Sequence, residues 1–283
     1  MGMSLTPAYP PTSSDRPDVG ARLRHLASRL AACPSLRPGP RVDALFGELV
    51  HLVLTTPPEA ATQVLREADV GALRHRLQRL CGAGEVELER AWADRIARSP
   101  RPADELARFP YLGNYRRLCR MELDTLAAAV DRPVRSVAFL GSGPLPLSSL
   151  LLADELGVPV VNLDRDAAAV AASRRVARAL GSHRLAFRRV DAGDADVSDH
   201  DVVVLAALVG DTPAAKRRVV RQLARSMAPG AALLARSARG LRTLLYPALD
   251  LTDLAGFDLV TVVHPVHDVV NSAVLARARG AVG

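Results

Sequence analysis

A short turn at residues 141–147 combines two glycines with two prolines, and this combination suits a particular class of ligand. The turn reads Gly-Ser-Gly-Pro-Leu-Pro-Leu and follows an apolar run, Val137 to Leu140, that is typical of a buried strand. Glycine lets a backbone approach a ligand closely, as in the turns of dinucleotide-binding folds. Pro144 and Pro146 remove two backbone N–H groups that a pyrophosphate would need as donors. The turn therefore favours a ligand without phosphates, such as S-adenosylmethionine, over NAD or ATP.

Aspartates end the next two predicted strands, where such a ligand would continue. Asp164 comes roughly 20 residues after the glycines, and a carboxylate there can accept both ribose hydroxyls. Asp191 ends the third strand, where it can meet the adenine amino group, and capping a loop is its alternative role. The predicted cofactor contacts are Gly141, Ser142, Gly143, Pro144, Asp164, Asp191, Ala192, Leu208 and Val209.

The elements that would position these residues change character near residue 131. Before it, apolar residues recur at helical spacing, and we expect helices over 20–32, 42–55, 57–67, 70–81, 84–97, a short stretch after Pro102, and 115–129. After it, we expect strands at 137–140, 158–163, 184–190, 201–208, 231–235, 257–263 and 271–278, and helices at 147–156, 166–180, 213–227 and 247–254.

This alternation predicts an α/β fold. It is a class I methyltransferase-like Rossmann sheet of seven strands, mostly parallel, with the last pair forming a hairpin. An all-helical N-terminal domain precedes it. The predicted domains are a disordered tail at 1–19, a helical cap at 20–130 and an S-adenosylmethionine-binding domain at 131–283.

The helical half holds a second group of polar residues. Glu85 and Glu89 lie four residues apart and share a helix face, and such glutamates are most often exposed to solvent. Tyr111, Asn114 and Tyr115 follow a Phe-Pro break, where a packed helix junction is the ordinary explanation. Spacing alone does not decide whether either group is structural or takes part in chemistry.

Composition bears on which classes of partner, nucleic acid, membrane or protein, the chain could bind. The net charge is +7, yet the arginines are scattered and aromatic residues are only 4%, so stacking platforms for nucleic acid are scarce. No apolar run is long enough for a transmembrane helix, and the N-terminus lacks a signal-peptide pattern. We expect a cytoplasmic protein with no nucleic-acid or membrane partner, and a homodimer is one possible assembly.

The cysteines and histidines do not suggest a metal site. Cys33, Cys81 and Cys119 are far apart and form no C-x-x-C pair. His264 and His267 are three residues apart, which places them on opposite faces of a strand. We therefore expect no catalytic metal.

Five stretches together resemble the nicotianamine synthase family and occur in that family's order. They are Leu80-Cys-Gly-x-x-Glu85-x-x-x-Glu89; Phe109-Pro-Tyr111-x-x-Asn114-Tyr115; Phe139 to Leu147; Asp201 to Gly210; and a C-terminal set from Met227 to Ser272 that includes Arg236-Ser-Ala-x-Gly240 and Leu245-Tyr-Pro247. They cover roughly residues 33 to 278. The Gly-Ser-Gly-Pro-Leu-Pro-Leu turn is far more specific than a bare G-x-G.

The resemblance implies that an amine attacks the γ-carbon of S-adenosylmethionine. The 3-amino-3-carboxypropyl group moves to the amine, and 5′-methylthioadenosine leaves. The product would be nicotianamine or a nicotianamine-like metallophore. The amine must lose a proton, and the resemblance assigns this catalysis to Glu85 and Tyr111, with Glu89 and Tyr115 as the second pair. The substrate-binding residues it implies are Asn114, Tyr115, Glu89, Arg236, Ser237, Tyr246 and His264.

The chain departs from the plant-like pattern mainly on the acceptor side. Leu112 and Leu123 stand where tyrosines are expected, Ala83 replaces an acid, and Arg239 replaces a histidine. The acceptor and the number of transfers therefore stay open. The alternatives are cyclisation of S-adenosylmethionine to azetidine-2-carboxylate, an S-adenosylmethionine-dependent methyltransferase, and a non-enzymatic binding protein.

Overall fold

The structure is a computed structural model that describes residues 18–128, 130 and 132–279. Residues 1–17 of the predicted tail and Asp131, at the predicted domain boundary, lie outside the described residues. The first helix begins at Val19, where the Asp18 side chain accepts a hydrogen bond from the Ala21 amide (3.0 Å) and caps the helix.

The first half of the chain is helical, as predicted. Its helices are α1 Val19–Ala31, α2 Pro40–Thr55, α3 Pro58–Leu65, α4 Val70–Arg98, α5 Pro102–Ala107 and α6 Leu112–Ala127. Leucines spaced three or four apart on α1, α2 and α4 form a common core that includes Leu26, Leu49 and Leu77. Among the described residues, no helix combines the length and apolar character needed to cross a membrane.

Helix α4 corrects the prediction of two helices separated near residues 82–83. Gly82 and Gly84 suggested a break, because glycine costs about 1 kcal/mol inside a helix. In the structure, the Phe46 ring lies where a side chain of residue 84 would be, with Cζ only 2.4 Å from an ideal Cβ position. The close packing that glycine allows offsets its low helix propensity. One 29-residue helix therefore carries both Glu85 and Glu89.

The second half forms the predicted sheet of seven strands. The strands are β1 Val137–Leu140, β2 Val160–Asp164, β3 Leu185–Arg189, β4 Val202–Leu205, β5 Ala232–Ser237, β6 Phe257–Val263 and β7 Ser272–Ala278. Their order is β3-β2-β1-β4-β5-β7-β6, and only β7 runs antiparallel to its neighbours. The helices beside the sheet are α7 Leu147–Leu156, α8 Ala167–Ala179 and α9 Pro213–Ser226. The class I methyltransferase-like sheet and its terminal hairpin are confirmed.

The helix expected at 247–254 is absent. The chain instead forms two short 3₁₀ segments, Gly240–Leu244 and Leu251–Asp253. Leu241, Leu244 and Leu245 of this region pack into the core of the helical half. Leu249 and Leu254, within the predicted helix, pack separately into the core of the sheet half, which accounts for the apolar spacing without a continuous helix.

The two halves also share a second core. Trp92 and Ile96 of α4 pack with Leu147 and Leu150 of α7. The division at 20–130 and 131–283 stays a prediction. These shared cores position α4 and α6 against the sheet edge where β1 and β4 end.

Candidate active site

A cavity of about 460 Å³ lies at the carboxyl ends of β1, β2 and β4 and is closed on one side by α4 and α6. This is the position where ligands bind in open α/β sheets, at the point where strand order reverses. All the predicted cofactor contacts line it: Gly141, Ser142, Gly143, Pro144, Asp164, Asp191, Ala192, Leu208 and Val209. Their contact with a cofactor stays a prediction, but the fold brings them together.

The glycines of the turn are required by both conformation and space. Gly141 and Gly143 have φ angles of +81° and +66°, which disfavour residues with a side chain. A Cβ on Gly141 would lie 2.2 Å from Cγ2 of Val209, and one on Gly143 would lie 2.3 Å from Oε2 of Glu89. The turn is thus pressed between the loop after β4 and a carboxylate of helix α4.

Asp164 organises the turn from the end of β2. Its Oδ2 accepts a hydrogen bond from the Gly143 amide (3.0 Å), and its Oδ1 accepts one from the Asp166 amide (2.9 Å). Asp166, rather than Asp164, caps α8, by accepting from the Ala168 amide. Each Asp164 oxygen retains acceptor capacity for a ribose hydroxyl.

Asp191 performs the loop-capping role that its sequence position allowed. Its Oδ1 accepts a hydrogen bond from the Gly193 amide (2.8 Å), and Arg218 lies 3.7 Å away. Both Asp191 and Arg218 line the cavity, so the capped loop also faces the space where an adenine would lie.

A buried lysine fixes the other wall of this end of the cavity. Lys216, the only lysine of the chain, is 5% exposed, and its Nζ donates to the Ala207 carbonyl (2.9 Å). Burial lowers its pKa to about 8, although Asp211 opposes this effect. The lysine therefore holds the loop that carries Leu208 and Val209.

The opposite end of the cavity holds a cluster of carboxylates and phenols. The Tyr115 hydroxyl lies 3.5 Å from Oε1 of Glu85 and 3.5 Å from Oε1 of Glu89. The Tyr246 hydroxyl donates to Oε2 of Glu85 (2.8 Å). A phenol has one proton, so Tyr115 can donate to only one of its two carboxylates at a time. This cluster can accept a proton from a bound amine and pass it on.

Burial makes the two glutamates unequal. Desolvation raises the pKa of Glu85, while the Tyr246 hydrogen bond and the positive charge of Arg236 oppose the rise. Desolvation and the charge of Glu85 raise the pKa of Glu89 well above its ordinary value. Burial also raises the pKa of both Tyr115 and Tyr246, so both stay protonated at neutral pH. A group whose pKa is raised further stays protonated to a higher pH and cannot take up a proton there. Glu85 is therefore the better proton acceptor of the two carboxylates.

Arg236 supplies the positive charge beside this cluster. Its Nε and Nη2 donate to the two carboxylate oxygens of Glu122 at 2.7 and 3.1 Å, and Nη2 also donates to Ser148 Oγ. Its guanidinium carbon lies 5.3 Å from the centre of the Phe139 ring. Burial works against the charge, but Glu122 outweighs it and keeps the pKa of Arg236 above its ordinary value. The charge is therefore permanent.

Four predicted site residues lie elsewhere. Tyr111 is 39% exposed, packs against Phe109 and does not line the cavity, so its catalytic role stays a prediction that the cavity geometry does not itself support. Helix α6 begins at Leu112, so Tyr111 precedes its first turn while Tyr115, one turn later, faces α4. The second predicted pair, Glu89 and Tyr115, is the one that the fold brings together.

The other three residues are occupied by structural contacts outside the cavity. Asn114 donates through Nδ2 to the Asp268 carbonyl (2.9 Å). Ser237 Oγ accepts from the Leu249 amide (2.9 Å), and His264 Nδ1 lies 2.8 Å from Ser272 Oγ. Their contact with a substrate stays a prediction. Arg236, Tyr246, Glu89 and Tyr115, the remaining predicted substrate-binding residues, all line the cavity.

Sequence reasoning missed Glu122, Ser148 and Asn271. Glu122 is fully buried, and it interrupts the apolar stripe that Cys119 and Leu126 form on α6. A charge in that stripe was the available signal, because buried charges are paired or functional.

Comparison with known proteins gives the same fold and family. A family model described as nicotianamine synthase protein matches residues 18–282. Nicotianamine synthase 9 of Hordeum vulgare is 41% identical over 266 residues, which cover 90% of this chain and 77% of that protein. Nicotianamine synthase 1 of Oryza sativa subsp. japonica is 43% identical over 272 residues, covering 92% and 81%.

Solved structures agree with these matches. MtNAS in complex with MTA and tNA superposes with a TM-score of 0.81 at 26% identity, covering 91% of this chain and 97% of that one. A Glu-to-Gln mutant of MtNAS in complex with S-adenosylmethionine gives 0.80 at 25% identity, covering 92% and 98%. Because the family model spans nearly the whole chain and the relatives exceed 40% identity, this chain belongs to the nicotianamine synthase family.

Proposed function

We propose that this protein transfers the 3-amino-3-carboxypropyl group of S-adenosylmethionine to the amine of an amino-acid-type acceptor and releases 5′-methylthioadenosine. The product is nicotianamine or a nicotianamine-like metallophore. The observation that carries the proposal is that Glu85, Tyr115 and Glu89 share one cavity with the Gly141–Gly143 turn. A proton acceptor thus lies beside the cofactor turn.

The residues at the turn fit S-adenosylmethionine. The cavity of about 460 Å³ lies within the range of small-molecule sites. Ser142 Oγ is buried without a hydrogen-bond partner among the described residues, and Asp164 retains acceptor capacity. Both observations indicate that a polar ligand completes this end of the cavity.

The chain's residues decide which carbon of the sulfonium reacts. S-adenosylmethionine supplies three carbons activated by one positive charge, and the carbon in line with the nucleophile is attacked. Glu85, assisted by Tyr115, takes a proton from the acceptor ammonium and exposes the nitrogen lone pair. The new N–C bond forms as the C–S bond breaks, and the electron pair of the C–S bond stays on the sulfur of methylthioadenosine.

The comparisons support this reaction. The named relatives are nicotianamine synthases, and the MtNAS structures contain S-adenosylmethionine in one case and MTA with tNA in the other. The shared fold supports a cofactor at the same edge of the sheet in this chain.

Product analysis tests the proposal. The purified protein is incubated with S-adenosylmethionine and a mixture of amino acids, and the nucleoside and amine products are identified by mass spectrometry. Methylthioadenosine with an aminocarboxypropylated amine is expected. S-adenosylhomocysteine would instead indicate methyl transfer, and methylthioadenosine with azetidine-2-carboxylate alone would indicate cyclisation. Glu85→Gln, which should release no methylthioadenosine, is the matched control.

Cytoplasmic location, action without nucleic-acid or membrane partners, and assembly as a homodimer stay predictions. Cell fractionation tests the first two, and light scattering of the purified protein tests the third.

A further inference from the structure

We propose that Asn271, together with Nη1 of Arg236, binds the carboxylate of the acceptor. This inference rests on the proposed function and specifies its substrate: the acceptor is an α-amino acid held at its carboxylate, with its amine directed toward Glu85. Asn271 is a specificity-determining residue that the sequence patterns did not assign.

The first observation is an unmade hydrogen bond. Asn271 is 8% exposed and lines the cavity, and its Nδ2 has no hydrogen-bond partner among the described residues. Buried amide donors are almost always paired, because leaving one unpaired forfeits its hydration. A ligand oxygen would satisfy this donor.

The second observation is the register of the sheet. Arg236 on β5 pairs with Ala273 on β7, and Ser237 pairs with Ser272. Asn271 immediately precedes β7, and continuing the alternation of the strand places it on the face of Ala273 and Arg236. Both Asn271 and Arg236 line the cavity, in agreement with this placement. Diagonal neighbours across an antiparallel pair lie roughly 7–8 Å apart, which a carboxylate between them can span.

The third observation is the unused edge of the arginine. A guanidinium has five N–H donors. Glu122 and Ser148 engage Nε and Nη2, while Nη1 makes no hydrogen bond with the described residues. Glu122 and Ser148 hold the guanidinium in place, and Arg236 lines the cavity, so Nη1 is the donor left for a ligand there.

The charges complete the assignment. Nδ2 of Asn271 and Nη1 of Arg236 are both donors, and the same end of the cavity holds Glu85 with its partners Tyr115 and Tyr246. A ligand with a carboxylate at one end and an ammonium at the other matches both. An amine without a carboxylate would leave the donors unpaired.

Acceptor discrimination tests the inference in the full-length protein. The probes are the L-amino acid that the wild type uses best and its carboxamide, which lacks the negative charge. We expect Asn271→Leu to lower kcat/KM for the amino acid about 10- to 100-fold, the value of one hydrogen bond to a charged group. The kcat/KM for the carboxamide should change less than about threefold, and so should the Kd for S-adenosylmethionine by calorimetry.

Two matched variants separate contact from disturbance of the loop. Arg117→Ala removes the guanidinium that anchors the same loop from outside the cavity, at the Asp268 carboxylate, and it should keep the preference for the carboxylate. Ser142→Ala should weaken S-adenosylmethionine binding and also keep the preference. If Arg117→Ala reproduces the loss, or if Asn271→Leu raises the Kd for S-adenosylmethionine instead, the inference is wrong.

Binding without turnover keeps this test independent of the proposed reaction. Calorimetric titration of the methylthioadenosine-saturated protein with amino acids reports the acceptor site even if no product forms. Wild-type binding that Asn271→Leu abolishes would support the carboxylate site alone. Equal amino-acid binding by wild type and variant would refute it.

Discussion

The hydroxyl of Tyr246 lies 2.8 Å from Oε2 of Glu85, although the two residues are 161 positions apart in the chain. Tyr246 follows the 3₁₀ segment Gly240–Leu244, whose leucines pack into the core of the helical half. The sheet half therefore reaches across to hold a carboxylate of helix α4. This contact orients Glu85 and favours its ionised form.

Replacing Tyr246 with phenylalanine should move the acid limb of the pH profile. Burial already raises the pKa of Glu85, and the Tyr246 hydrogen bond counteracts part of that rise. Its loss raises the pKa further, so activity that needs the carboxylate disappears at a higher pH as the pH falls. In a plot of kcat/KM against pH, we expect the acid limb of Tyr246→Phe to lie at a higher pH than that of the wild type. An unshifted limb would mean that Glu85 is not the titrating base.

The two tyrosines of α6 and its preceding turn should behave differently. Tyr115 contacts both glutamates, whereas Tyr111 is exposed and outside the cavity. We expect Tyr115→Phe to reduce kcat about 100-fold, within the range for an acid–base group. Tyr111→Phe, its control, should stay within about threefold of the wild type in a steady-state assay of methylthioadenosine release. A larger loss in Tyr111→Phe than in Tyr115→Phe would favour Glu85 and Tyr111, the pair that the family resemblance implies.

Removing the partner of Arg236 should destabilise the protein strongly. Glu122 is fully buried and binds Arg236 through both oxygens, so Glu122→Gln leaves an uncompensated buried charge. The expected loss is about 3–5 kcal/mol in the free energy of unfolding. Glu48→Gln, which breaks an exposed pair with Arg22, should cost less than about 1 kcal/mol. Urea denaturation measures the free energy of unfolding of both variants. Similar losses in the two would contradict a special structural role for the buried Glu122–Arg236 pair.

Two glycines of the same helix should respond in opposite directions. Gly84→Ala places a Cβ 2.4 Å from the Phe46 ring, while a Cβ on Gly71 would have no other heavy atom within 4 Å outside its own stretch of helix. We expect Gly84→Ala to cost about 1–3 kcal/mol through overpacking. Gly71→Ala should stabilise by up to about 1 kcal/mol, because alanine has the higher helix propensity. Thermal unfolding of the two variants checks the signs.

Lys216 should make stability depend on pH in the alkaline range. Its pKa is about 8 in the folded protein against 10.5 for the ordinary side chain. Between these values the unfolded chain binds more protons, so the free energy of unfolding rises with pH, by up to about 3 kcal/mol across the window. Lys216→Met should lack this increment. Arg217→Met, a change at an exposed neighbour, should retain it in urea titrations from pH 7.5 to about 10.

The sheet was predictable because each strand can be recognised from a short stretch of sequence. Val137–Leu140 and Val202–Leu205 are fully buried apolar runs, and their flanking glycine, proline and aspartate residues mark the ends. The cofactor side of the cavity follows from strand order alone, since the ends of β1, β2 and β4 meet at one edge.

The acceptor side was not predictable to the same degree, because it depends on how separate elements dock. Tyr111 and Tyr115 differ by one helical turn, and which of them meets Glu85 depends on where α6 begins and how it crosses α4. Glycine propensity gave the wrong answer at Gly84 because the Phe46 contact is long-range. Asn271 belongs to a stretch that carries the family resemblance, but its spacing assigned it no role, because its significance arises from a missing partner in the folded state.

Because helix α4 is continuous, it fixes the distances and angles between the parts of the protein that it contacts. Three residues of this helix contact different parts of the protein. Leu77 packs in the core of the helical half, Glu89 contacts the predicted cofactor turn, and Trp92 packs on the sheet half. One inserted residue between Leu77 and Glu89 would rotate everything beyond it by about 100° and take the carboxylates out of the cavity. Length variation among relatives of this protein should therefore fall in the connecting loops and spare this helix.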